Sequence, residues 1–127
     1  MMGRKTFLIS ASLAISMTLA FGAPVKEWFE GVPAKDHAHV NPMANQPKAV
    51  SAGTLLYSDH CLSCHRANAQ GDGKKKPSLR NGRLGIVSDG DLEWFLRQGS
   101  LHKGMPSWSS LPEAQRWQLV AYLRSIQ

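Results

Sequence analysis

Apolar residues recur at helical spacing in three stretches of the chain, and no stretch alternates as a strand does. In "KAVSAGTLLYSDHC", Ala49, Gly53, Tyr57 and Cys61 fall four apart and so stack on one helix face. Pro47 suits the first turn of that helix, where a missing N–H costs nothing. A second helix is predicted from Ser88, whose side chain can cap the turn holding Asp91, to a stop at Gly99. Leu92, Phe95 and Leu96 form its apolar stripe. A third opens near Pro112 and runs to the end, burying Leu119, Tyr122, Leu123 and Ile126. Two long loops, His65 to Val87 and Ser100 to Leu111, join them. The expected class is therefore all-α.

The N-terminus reads differently. Arg4 and Lys5 precede the apolar run "FLISASLAISMTLA", which is shorter than the ~20 residues needed to span a bilayer and ends in small residues that suit a signal peptidase. Residues 1–22 are expected to be a signal peptide cut after Gly22, an uncleaved N-terminal anchor being the alternative. No cysteine lies nearby, which argues against a lipoprotein. The chain is thus expected in the periplasm, with no stable membrane insertion after cleavage. Residues 23–47 carry four prolines and no sustained period, and read as an irregular N-terminal arm. Trp28 and Phe29 stand side by side in it, which predicts that part of the arm packs on the domain spanning residues 48–127. Without Arg4 and Lys5 the chain has 13 basic and 9 acidic side chains, so its formal charge falls from +6 to +4. With no RNA- or DNA-binding motif, nucleic acid is not an expected partner.

The chain has two cysteines, in "DHCLSCH". A structural zinc site would need a second ligand pair, and the only offer, His37 and His39, lies in the polar arm. A redox-active disulfide normally follows a strand, and none precedes Cys61. A structural disulfide across so short a loop gains little. Cys-x-x-Cys-His is the attachment signature of c-type haem: both thiols add to the macrocycle and the histidine swings beneath the iron. Covalent haem also answers a packing problem, because about 80 residues in three short helices bury little apolar surface alone.

From Pro47 to Gln127 the chain resembles a class I mono-haem cytochrome c. Such proteins carry a glycine eight and an aromatic four residues before the first cysteine, here Gly53 and Tyr57, which pack on a Leu-x-x-Tyr pair, here Leu119 and Tyr122. The resemblance implies a small cytochrome c fold, with three main helices wrapped around one covalent haem c at Cys61, Cys64 and His65. It makes the Pro77 carbonyl the acceptor for the His65 N–H and lays Leu79 on the haem. Met105, in "KGMPSW", becomes the second axial ligand, with Pro106 stiffening its loop. Met43 in the arm and His102 are the rivals. Trp108 is a candidate crevice wall. Arg66 departs from the family, whose bacterial members often have glycine after the haem histidine.

His65 and Met105 leave the iron no vacancy, so the resemblance implies a one-electron carrier and not an enzyme. Redox partner proteins are expected, a periplasmic dehydrogenase on one side and an oxidase or reductase on the other, met by a monomer in transient complexes. Lys74, Lys75, Lys76 and Lys103 are placed to ring the haem edge and steer that docking. Arg80, Asn81, Arg83 and Trp94 are candidate propionate partners. The alternatives are a fixed cytochrome subunit of a periplasmic dehydrogenase, or a sensor or peroxidase-type enzyme with a labile Met105.

Overall fold

The computed structural model of the protein describes residues 25–127; the expected signal peptide, with its cut after Gly22, lies outside them. Five helices follow in order: α1 (Ala34–His37), α2 (Pro47–His60), α3 (Leu62–His65), α4 (Asp89–Gln98) and α5 (Glu113–Ser125). A 3-10 turn, Val25–Phe29, precedes them, and two more, Ala67–Ala69 and Leu101–Lys103, lie between them. Among the described residues there is no strand, only an isolated antiparallel bridge pairing Ser100 with Met105. The fold is all-α, and its three long helices are those that the apolar spacing predicts.

Local chemistry sets their ends. Pro47 is the first residue of α2. Ser88 caps α4 reciprocally: the Asp91 N–H donates to Ser88 Oγ at 3.1 Å, and the Ser88 N–H donates to the Asp91 carboxylate at 2.8 Å. Gly99 ends that helix at φ +69°, which a side chain rarely adopts.

The main packing event is the crossing of α2 and α5. Gly53 is buried there, and a Cβ at this position would collide with the backbone carbonyl of Gln118 and with the Tyr122 side chain. Tyr57 and Tyr122 meet with ring centroids 5.0 Å apart, and Leu119 and Val120 are fully buried. The end of α5 then clamps the long loop. The Arg124 guanidinium donates to Asp89 Oδ1 at 2.6 Å and to the carbonyls of Leu84 and Val87, while Gln127 Nε2 donates to the Leu79 carbonyl at 2.7 Å.

The arm is more ordered than its prolines suggest. Two short helical segments form in it, and polar side chains fasten it to α4 and α5. Arg97 Nη2 donates to Asp36 at 2.6 Å, His37 Nδ1 to Asp91 at 2.8 Å, and Asn41 Nδ2 to the Trp117 carbonyl at 3.0 Å. Trp28 and Phe29 both pack on Phe95 of α4, with centroids 6.2 and 5.1 Å away.

Gly53→Ala is expected to lower stability by about 1–3 kcal/mol, the usual cost of forcing extra volume into a packed contact. Denaturant titration followed by helical circular dichroism measures it. A midpoint equal to wild type would mean that the two helices cross with room to spare.

Candidate functional site

A cleft of about 300 Å³ opens between α2, α4, α5 and the two long loops. That volume is at the lower end of the range for ligand sites. Its walls are mostly apolar, with Leu79, Leu84, Leu92, Leu96, Leu119 and Leu123 on the inside. Into it the chain brings Cys61, Cys64, His65, Pro77, Leu79 and Met105, the whole set proposed from sequence.

The last turn of α2 ends on Cys61, whose N–H donates to the Tyr57 carbonyl at 2.9 Å. The single turn of α3 follows, and the His65 N–H returns to the Cys61 carbonyl at 2.9 Å. This tight winding holds the two thiols and the imidazole around one turn. Burial, and secondarily the neighbouring Cys64, push the Cys61 thiol up to about 11, which marks a dry environment. His65 Nδ1 is buried and has no hydrogen-bond partner. Burial holds the imidazole below its ordinary pKa; the Pro77 carbonyl works in the opposite direction, as a nearby acceptor favouring the proton. Pro77 thus stands beside His65, although no hydrogen bond of normal geometry joins them.

Met105 reaches the cleft from the loop before α5. Its N–H donates to the Ser100 carbonyl at 3.0 Å and its carbonyl accepts from the Ser100 N–H at 2.8 Å. Ser100 itself follows the end of α4, so the bridge fixes the methionine to a rigid element. The hairpin between them closes on Gly104 at φ +77°. Of the two rivals to Met105, Met43 packs on the core away from the cleft, and His102 is exposed and outside it. Trp108 is a wall, held by its backbone N–H to the Leu96 carbonyl at 2.9 Å and packed at a tilt on His60, with ring centroids 5.0 Å apart.

Of the four lysines, Lys75, Lys76 and Lys103 line the cleft and Lys74 does not. The loop of Lys74, Lys75 and Lys76 is an ordered turn, since Asp72 Oδ1 accepts from the N–H groups of Lys74 and Lys76, each at 2.8 Å. Those hydrogen bonds, the Lys76 one foremost, hold the Asp72 carboxyl below its usual range. Arg80, Asn81 and Trp94 lie off the cleft, and Arg83 lines a smaller neighbouring cavity that shares Pro77, Leu79 and Leu84 with it. Sequence reasoning missed His60, Leu84 and above all the placing of Trp28 and Phe29 in the cleft wall. The unusual pairing of two aromatics in a proline-rich arm was the available signal for the last two.

Arg66 explains how the chain leaves the site. It has φ +67° and ψ 168°, a region that is close to glycine-only and costs about 1–3 kcal/mol. Tyr57 Oη donates to its carbonyl at 2.7 Å, and burial raises the tyrosine's pKa, so the phenol stays a donor. Arg66→Gly is expected to stabilise the protein by about 1 kcal/mol, the relieved strain offset in part by the freer unfolded chain. Denaturation midpoints of the two proteins check it; a less stable glycine variant would mean that the arginine side chain contributes more than its backbone costs.

The model of the family described as cytochrome c oxidase, cbb3-type, subunit III matches residues 48–123. No curated protein and no solved structure matches the chain at a significant level.

Proposed function

The chain belongs to that family, whose domain is a class I-type mono-haem c-type cytochrome, and from this premise we propose that it is an exported one-electron carrier whose haem iron would be held by His65 and Met105. Domains of this kind contain haem and pass electrons to partner proteins. The observation that carries the finer reading is the convergence of two thiols, a buried imidazole with an unpartnered nitrogen and a thioether on one apolar cleft. That donor set fits a haem c: Cys61 and Cys64 would hold it covalently, and His65 and Met105 would ligate its iron. When bound, the group supplies an iron that changes oxidation state by one electron.

The chain's own residues do the rest. Apolar walls and a thioether ligand favour the reduced form and raise the potential. Pro77, beside His65, would take the imidazole N–H and strengthen the ligand, and Leu79 would cover the macrocycle. The bridge from Ser100 holds Met105 in place, which supports a closed, carrier-type iron over a sensor or peroxidase with a labile methionine. Trp28 and Phe29, which a fixed subunit would offer to its complex, are engaged by Phe95 of the same chain, and this favours a free carrier. Among the described residues no helix is long and apolar enough to cross a membrane. We place the carrier in the periplasm, with residues 1–22 as its signal peptide, 23–47 as the arm and 48–127 as the cytochrome domain. A dehydrogenase would supply its electrons, and an oxidase or reductase would take them.

Mass spectrometry of the mature protein is expected to show one haem added to a chain beginning near Ala23; free thiols would end this reading. Met105→Ala is expected to abolish the sulfur–iron charge-transfer band of the oxidised protein, lower its potential and admit carbon monoxide quickly, with the haem still attached. Met43→Ala should do none of this. If Met105→Ala keeps the band, the ligand assignment is wrong.

Lys75, Lys76 and Lys103 around the cleft mouth support docking to an acidic surface. Electron-transfer rates with the partner should fall as salt rises, because the Debye length shrinks from about 10 Å at 0.1 M to about 3 Å at 1 M. Replacing Lys74, Lys75 and Lys76 by Gln should flatten that dependence, the effect coming mainly from the two that line the cleft. Stopped-flow rates against ionic strength provide the check, and an unchanged profile would remove these lysines from docking.

A further inference from the structure

We propose that Trp28 and Phe29 are positioning residues that keep water from the Met105 loop, and that the arm from Val25 to Asn41 serves to hold these two rings in the wall of the haem cleft. The inference rests on the haem reading above and goes beyond the family match, which begins only at residue 48. Trp28 and Phe29 line the cleft itself, as do Phe95, Lys103 and Met105. Both rings pack on Phe95, so three aromatics from two distant parts of the chain form one surface. Lys103 Nζ sits 3.9 Å from the centre of the Trp28 ring, a cation–π contact. Lys103 is two residues before Met105, so this contact ties the arm to the methionine loop.

The arm is built to stay there. Asp36 is buried and pairs with Arg97, His37 pairs with Asp91 of the α4 capping box, and Ser88 Oγ donates to the His37 carbonyl at 2.8 Å. Gly90 supplies an independent sign. It sits in the first turn of α4, where glycine weakens a helix, and a Cβ there would collide with the carbonyl of Asp36. The helix thus carries a glycine where the arm's backbone rests on it. Removing the two rings would uncover Phe95 and open the cleft beside the Met105 loop. Water there would stabilise the charged, oxidised site and loosen the hold on the thioether.

The test uses the holoprotein. Trp28→Ala and Phe29→Ala are each expected to lower the haem's reduction equilibrium constant about tenfold, the size typical of lost outer-shell support, which is 59 mV for one electron. Carbon monoxide should bind the reduced variants faster than wild type. Trp28→Phe, which keeps an apolar ring, should restore most of both properties. Gly90→Ala would place its Cβ against the backbone of Asp36 and His39, and it should shift both in the same direction by displacing the arm. Circular dichroism identifies any variant that loses its helices; if either alanine variant does, the phenylalanine and Gly90 variants decide. Wild-type potential and carbon monoxide kinetics in helical variants would overturn the proposal while leaving the carrier function intact. A wild-type protein without covalent haem would overturn both.

Discussion

The crossing of α2 and α5 at Gly53 is the contact on which the site depends. The Cys61–His65 turn is the direct continuation of α2, and Leu119 and Leu123 belong to α5. The separation of the two helices therefore sets the distance between the thiols and the opposite wall. Missing a side chain at Gly53 lets backbone approach backbone, and Tyr57, one turn later, packs on Tyr122 while its hydroxyl reaches the Arg66 carbonyl. One side chain thus joins the helix crossing to the loop that leaves the site. Arg124 and Gln127 extend the same logic, since the end of α5 holds the carbonyls of Leu79, Leu84 and Val87 and so fixes the loop opposite.

Much of this was legible because the signals are local. Proline at the start of α2, the Ser88–Asp91 box and Gly99 each act within four residues, and a reader of the chain sees both partners at once. The Cys-x-x-Cys-His run is local too, so its residues could be named before their geometry was known. Met105 came from the resemblance, and the structure adds the reason its loop is firm, a bridge to Ser100. Trp28 and Phe29 told from sequence that part of the arm packs on the domain, and they pack on Phe95; the polar anchors of the arm were illegible for the opposite reason. Asp36 and Arg97 are 61 residues apart and Asn41 and Trp117 are 76 apart, so no window of sequence contains both ends of the contact. Gly90 is a weak helix residue taken by itself, and its reason, the Asp36 carbonyl lying against it, is likewise distant in sequence. The propionate candidates fell mostly off the cleft because a basic or amide side chain in a loop carries no sign of which way the loop turns.

Electrostatics beneath the arm follow one chain of alternating charge. Asp36 pairs with Arg97, Arg97 with Glu93 at 3.4 Å, and Glu93 with Arg116 at 2.6 Å; the Arg116 guanidinium also donates to the Leu111 carbonyl. Asp36, Glu93 and Arg116 are all buried. Buried pairs of this kind add little net stability over an apolar replacement, yet losing one partner strands a charge at a cost of about 3–5 kcal/mol. Their physical effect here is to penalise any arrangement in which the arm lifts, because lifting would leave Arg97 and Glu93 short of a partner. An apolar contact could slide; this one has a single register.

For the carrier function proposed above, that register matters more than stability does. Electron transfer is fast when the site changes little between oxidation states, and the parts with most freedom to move are loops. Here the loop that offers Met105 is tied to α4 through Ser100, to the arm through Lys103 and Trp28, and to α4 again through the Trp108 N–H. The loop after His65 is tied by Tyr57 and by the Leu79 N–H to the Ala69 carbonyl at 2.8 Å. Strain at Arg66 is tolerable in such a setting because the surrounding hydrogen bonds determine the conformation more strongly than the residue's own preference. Rigidity in this small protein thus comes less from the size of its core than from the cross-links between its loops, and the arm supplies one of them.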